Sequence, residues 1–220
     1  MLAADNLSCQ RGERTLFSDL NFALEPGWLL HVQGANGSGK TSLLRLVAGL
    51  TLPATGSVLW NDSAITADAE GYRASLLYLG HAPALKDDFS AVENLCLASR
   101  LAGEHIDEDI ACETLGRWGL KGRTHLPCRS LSQGQRRRVG LARLALTTRR
   151  LWLLDEPLAS LDAEATVLLE RLIERHLWQG GLVLMTTHQT ITTPAARTRD
   201  LLLGSAPLSA QRPAPHPGRH

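Results

Sequence analysis

The stretch Gly34-Ala35-Asn36-Gly37-Ser38-Gly39-Lys40-Thr41 constrains this chain more than any other. It satisfies the phosphate-binding pattern G-x-x-x-x-G-K-[ST] in full. Its flanks agree: Trp28-Leu29-Leu30-His31-Val32 reads as a short buried strand, and Ser42-Leu43-Leu44-Arg45-Leu46-Val47-Ala48 as a helix. Glycines at these spacings let consecutive backbone N–H groups converge on phosphate oxygens, which a Cβ-bearing chain would obstruct. A helix beginning near Lys40 turns the positive end of its dipole toward the same anion. The pattern predicts Lys40 on the outer phosphates and the Thr41 hydroxyl on Mg²⁺.

Bulk properties narrow the class. At 220 residues the chain can form one large domain or two small ones, and can bury about 70% of its unfolded surface. Lys+Arg 23 against Asp+Glu 22 leaves no overall basic field to recruit nucleic acid. Cys9, Cys96, Cys112 and Cys128 are scattered and form no C-x-x-C pair, as expected of reduced thiols. Near the N-terminus Asp5 interrupts any basic-then-apolar run, so no signal peptide is expected. No apolar run is long enough to cross a bilayer.

Along the chain, residues 2–33 read as strands of an antiparallel layer with turns at Arg11-Gly12-Glu13 and Glu25-Pro26-Gly27. Gly49, followed by Pro53, stops the helix after the glycine-rich loop. Strands are predicted at Thr55–Trp60 and Leu76–Leu79, with Asn61-Asp62 as a turn. Ser90-Ala91-Val92-Glu93 has capping-box form and opens a helix to about Ala102. A second helix is predicted from Asp107 to Trp118, so that residues from about 90 to 130 form a helical insertion. Leu131-Ser132-Gln133-Gly134-Gln135 then leads into a helix rich in arginine (Arg136, Arg137, Arg138, Arg143).

The run Leu151-Trp152-Leu153-Leu154 reads as a buried parallel strand ending in Asp155-Glu156-Pro157. In open α/β sheets that end is where ligands bind. Adjacent carboxylates there are costly unless a cation waits for them. Asp155 is therefore expected to hold Mg²⁺, and Glu156 to position or deprotonate an attacking water. A helix from Ala163 to Gln179, a strand from Leu182 to Thr187, His188 and a last strand from Arg199 to Leu203 follow. Residues 204–220 carry four prolines and little apolar content, and are expected to be a disordered tail.

Taken together and in this order, these features resemble the nucleotide-binding subunit of ATP-binding-cassette (ABC) systems over roughly residues 2–203. Gly34 to Thr41 resembles that family's Walker A motif, Leu151 to Glu156 its Walker B, and Leu131 to Gln135 its signature, with Gln133 in place of a glycine. Ser160-Leu161-Asp162 resembles the D-loop and His188 the switch histidine. The resemblance implies an α/β P-loop NTPase fold with an antiparallel β layer and a helical subdomain at about 90–130. It implies ATP hydrolysis with Mg²⁺, catalysed by Lys40, Glu156 and His188, with Ser42 and Arg11 added to the ATP-binding loop. It also implies a second copy of the chain as partner, because in this family the signature of one domain faces the P-loop of the other. Ser132 and the backbone near Gly134 would then receive the partner's γ-phosphate.

Two positions depart from the general pattern. His81 stands where the family usually has a glutamine near Mg²⁺ and water, and a neutral imidazole is a softer ligand than Mg²⁺ prefers. Arg11 stands roughly where an aromatic platform for adenine is usual, and a guanidinium plane can also stack on a base. Leu79-Gly80-His81-Ala82-Pro83-Ala84-Leu85-Lys86, Arg11-Gly12-Glu13-Arg14-Thr15-Leu16-Phe17 and Thr186-Thr187-His188-Gln189 resemble the ATP-binding subunit of bacterial cytochrome c maturation, or haem export, systems. That resemblance implies a peripheral protein on the cytoplasmic face of the inner membrane, driving integral-membrane permease subunits without itself touching haem. The alternatives are the ATPase of a transporter for another substrate and a soluble cassette acting on nucleic acid or ribosomes. The latter usually needs two cassettes or a coiled-coil insertion and a basic face, which this sequence lacks.

Overall fold

The computed structural model describes residues 1–189 and 197–204; the tail expected at 204–220 therefore lies outside the described residues, except for Gly204. Two sheets and a set of helices form three layers. The antiparallel sheet has strand order β2-β1-β4-β5, from β1 (Leu2–Arg11), β2 (Arg14–Leu24), β4 (Thr55–Trp60) and β5 (Ser63–Ala64). The parallel sheet has order β6-β7-β8-β3-β9, from β3 (Leu29–Gln33), β6 (Leu76–Leu79), β7 (Leu151–Asp155), β8 (Leu182–Thr186) and β9 (Thr198–Leu202). The helices are α1 (Lys40–Val47), α2 (Ala69–Ser75), α3 (Ala91–Leu101), α4 (Glu108–Leu115), α5 (Gln133–Ala142) and α6 (Ala163–Trp178).

The parallel sheet separates two hydrophobic cores, and strand periodicity assigns residues to each. Leu151, Leu153, Leu182 and Leu184 join Leu30 and Val32 under the antiparallel sheet and α1. Their neighbours Trp152, Leu154, Val183 and Met185 face the other way, toward α3, α5 and α6. Being covered on both faces is why β7 and β8 are apolar up to their last residues, Asp155 and Thr186, instead of alternating. The same burial corrects one expectation. Residues 2–33 do not all belong to the antiparallel layer, because β3, with Leu29, Leu30 and Val32 buried, pairs parallel with β8 and β9.

Local signals acted as their chemistry dictates. Gly49 at φ 67° ends α1, with Gly49 N donating to Leu46 O at 3.0 Å and Leu50 N to Arg45 O at 2.9 Å. Asn61 and Asp62, at φ 49° and 65°, form the tight turn between β4 and β5. The Ser90–Glu93 capping box is formed in both directions at the start of α3. The helix predicted from Asp107 to Trp118 is shorter: α4 ends at Leu115, and a wider turn over Gly116–Leu120 follows, with Gly119 at φ 75°. The short elements α2 and β5 escaped the sequence reading, since neither carries enough periodicity to register.

A stacked pair anchors α6 to the sheet. The His176 ring lies 3.7 Å from the Trp152 ring centroid at an interplanar angle of 6°, and its Nε2 lies 3.1 Å from Arg150 O. A carbonyl only accepts, so Nε2 carries the proton. Burial pushes the His176 pKa down to about 4, against partial opposition from backbone hydrogen bonds at Arg150 and Leu182. A depressed histidine pKa favours the neutral ring, so its contribution to stability is complete above about 6.5 and lost as pH falls toward about 4. Replacing His176 by Phe, which stacks but does not titrate, should flatten the fall of the urea midpoint across that window. An equally steep fall in the variant would assign the acid sensitivity elsewhere.

Candidate active site

The parallel sheet brings the C-terminal ends of β3, β6, β7 and β8 to one edge, and the predicted functional residues follow from those ends. After β3 comes the loop Gly34–Gly39, after β6 His81, after β7 Glu156, after β8 His188. They converge on a cleft of about 500 Å³ lined by Asn36, Gly37, Gly39, Lys40, Thr41 and Ser42 on one side. His81, Asp155, Glu156 and His188 line another, with Arg11 and Leu16 at the β1–β2 hairpin.

The loop has the conformation phosphate binding requires. Gly37 and Gly39 stand at φ 79° and 103°, and Gly34 packs so closely that a Cβ would come 2.6 Å from Ser38 Oγ and 2.7 Å from Leu203 O. No side chain caps α1 and no acid sits in its first turn, so its first N–H groups and dipole open into the cleft. Lys40 is buried, its Nζ donating to Gly34 O at 2.8 Å and Ala35 O at 3.3 Å.

Opposite it, Asp155 is 1% exposed. Thr41 Oγ1 donates to its Oδ2 at 2.9 Å, and Thr186 Oγ1 to its Oδ1 at 2.9 Å. A hydroxyl and a carboxylate side by side at a phosphate loop are hard oxygen ligands that fit Mg²⁺. Glu156 takes the left-handed conformation at φ 50°, its N–H shared between Thr186 O (3.1 Å) and Thr186 Oγ1 (3.0 Å). That twist turns its carboxylate to His188, with Nε2 and Oε1 3.4 Å apart.

The signature and D-loop residues lie elsewhere in the chain. Leu131 to Gln135 and Ser160 to Asp162 do not line this cleft. Ser132 caps α5 in a reciprocal pair with Gln135 and is exposed, as is Gln133. Gly134 packs against the D-loop, where a Cβ would meet Ser160 O at 2.8 Å. Arg138, on the next turn of the helix, pairs with Asp162, which caps α6.

Arg137 is the residue the sequence reading left without a role. Only 5% exposed, it donates through Nε to Pro157 O at 3.4 Å, and through Nη1 to Gly80 O and His81 O, both at 2.9 Å. Nη2 reaches Asp155 O at 2.8 Å and Glu156 O at 2.6 Å. Burial lowers its pKa, countered by the Asp155 and Glu156 carboxylates. The arginine-rich helix was visible in sequence, but nothing there distinguished Arg137 from the half-buried Arg136, Arg138 and Arg143. A lysine has one nitrogen and cannot fork to five carbonyls. Arg137→Lys should therefore lose about 3 kcal/mol of stability and lower ATP turnover by displacing Glu156 and His81 together. A parent-like melting temperature and turnover would refute the clamp.

Comparison with known proteins agrees with this geometry. The family model described as ABC transporter matches residues 17–159. The cytochrome c biogenesis ATP-binding export protein CcmA of Nitrosomonas europaea is 52% identical over 203 residues, 92% of this chain and 95% of that protein. Its namesake in Dechloromonas aromatica is 50% identical over 93% of this chain and the whole of its own length (100%). The one in Vibrio cholerae is 42% identical over 93% of this chain and 99% of its own. An ABC transporter ATP-binding protein from Pyrococcus furiosus superposes with a TM-score of 0.78 over 91% of this chain and 96% of its own, at 22% identity. An ATP-binding cassette solved as a dimer in a post-hydrolysis state with ADP and Pi gives 0.73 over 86% and 88%, at 23% identity. By sequence and by fold, the chain belongs to the ABC transporter family.

Proposed function

We propose that this chain is the ATP-hydrolysing subunit of a membrane complex for cytochrome c biogenesis, acting in haem export or release of a haem-loaded chaperone. What carries the reading is the extent of the likeness. About half the residues are shared with proteins named for that process, across more than nine-tenths of both chains. The cleft supports the chemistry. ATP lies along the Gly34–Ser42 loop, and Lys40 exchanges its bonds to Gly34 O and Ala35 O for the outer phosphates. Thr41 and Asp155 would hold Mg²⁺, which neutralises charge on the phosphates when bound. Glu156 orients or deprotonates the attacking water, and His188 beside it adds a donor toward the γ-phosphate. His81 faces the same space as a further contact for water, and Arg11 with Leu16 offers the surface for the base.

Ser132 and Gly134 lie outside their own cleft, so we read the working site as shared between two copies, each supplying its signature to the other's ATP. The unit comprises residues 2–203, with helices at about 90–130 forming its helical subdomain. We further propose that the pair works peripherally on the cytoplasmic face of the inner membrane, bound to integral-membrane subunits and not to nucleic acid. Among the described residues no helix is long and apolar enough to cross a membrane, which supports attachment through partners.

Glu156→Gln should bind ATP but hydrolyse it at least about 10²-fold more slowly; near-parental turnover would remove Glu156 from the role of base. Mixing Lys40→Ala with Ser132→Arg protein should leave at most one competent site per pair, whereas full activity from a strictly monomeric preparation would contradict a shared site. In the cell, a chain carrying Lys40→Ala as its sole copy should deplete membranes of c-type cytochromes while other haem proteins persist. Normal c-type levels would overturn the assignment to cytochrome c biogenesis.

A further inference from the structure

A group of polar side chains behind the cleft has no part in the chemistry above. His31 on β3 and Asp200 on β9 are register partners in the parallel sheet, so their side chains stand side by side. His31 Nδ1 lies 3.1 Å from Asp200 Oδ1, and Gln33 Nε2 donates to that same oxygen at 2.8 Å. Gln33 Nε2 also lies 3.1 Å from His31 Nδ1. The other ring nitrogen points at the switch: His31 Nε2 is 3.2 Å from the carbonyl oxygen of Thr187, the residue before His188.

The carbonyl can only accept, so His31 Nε2 donates. The surroundings keep it a donor in either charge state. In the neutral ring, Nδ1 accepts from Gln33; in the imidazolium, Nδ1 donates to Asp200, and the bond to Thr187 survives both. Thr187 is buried and held from the other side as well, its Oγ1 accepting from Gln189 N at 3.0 Å. His188 is thus an exposed side chain on a backbone pinned at the residue before it and the residue after it. Its contact with Glu156 at 3.4 Å depends on where that backbone sits.

We infer that His31 is a positioning residue for ATP hydrolysis: oriented by Gln33 and Asp200, it fixes the Thr187 carbonyl and so holds His188 against Glu156. It never meets nucleotide. The inference rests on the proposed role of His188 in the cleft. Because Gln33 is followed directly by Gly34, the same strand sets both the phosphate loop and the switch, and β9 braces the arrangement from outside through Asp200.

The test is turnover of the full-length protein, measured as a single-turnover rate alongside the ATP dissociation constant. His31→Leu should lower the rate about tenfold, the worth of one hydrogen bond, and leave ATP affinity unchanged. His31→Gln, whose amide can donate to Thr187, should recover most of that loss. Asp200→Asn, at an exposed carboxylate, should give a smaller loss and carries the same comparison if His31→Leu does not fold. In a His188→Ala background neither substitution should slow the residual rate further. An equal loss in both backgrounds, or a loss of ATP affinity in place of rate, would reduce His31 to a structural contact. Full turnover by His188→Ala alone would instead remove the role of the switch histidine, a failure visible before any change at His31 is made.

Discussion

A guanidinium sealed from water must find an acceptor for each N–H, and Arg137 finds them all in backbone carbonyls. Those carbonyls belong to two chain segments that leave adjacent strands, Gly80–His81 after β6 and Glu156–Pro157 after β7, together with Asp155 at the end of β7 itself. Strand ends diverge once ladder bonds stop, and nothing in the sheet fixes the spacing of the residues beyond it. Arg137 fixes it from a helix, and that helix begins at the signature Ser132. The exposed start of α5 at Ser132 and the turn that carries Glu156 in the cleft are therefore parts of one hydrogen-bonded body.

The two cores give this clamp its footing. Under the antiparallel sheet, Leu43, Leu44 and Val47 of α1 are buried against Leu30, Leu153 and Leu184, which seats the phosphate loop on β3. On the far face, Val139, Leu141 and Ala142 of α5 pack with Leu154 and Met185. The parallel sheet between them transmits any shift of α5 to the strand carrying Asp155. Ion pairs add little by comparison, since Arg129–Asp88 and Arg136–Asp87 are solvent-facing at the carboxylate. Placement of the catalytic edge comes from apolar packing and buried hydrogen bonds.

How legible this was depended on how local the signal is. Lys40, Thr41, Asp155, Glu156 and His188 stand next to strand ends whose apolar runs could be read directly, so their convergence on one cleft was legible in sequence. His81, marked as a departure from the family pattern, does line the cleft. Long-range partners were not legible. Arg137 looks like three other arginines until β6 and β7 close around it, and Thr186 looks like any β-branched strand residue until its hydroxyl meets Asp155. The assignment of β3 to the antiparallel layer failed for the same reason, because pairing partners far along the chain decide which sheet a short apolar strand joins.

Glu156 is held at φ 50°, where a Cβ costs about 1 kcal/mol relative to glycine. Its N–H is nonetheless fixed on Thr186, a bond that glycine or asparagine could make equally well. Folding alone would favour glycine or asparagine at this position. Random change there would tend to yield proteins that are more robust yet inert, still able to fold and to clasp nucleotide. A copy of this chain that has lost the Glu156 carboxylate should therefore persist in the cell as folded protein, so that losing the carboxylate need not mean losing the chain.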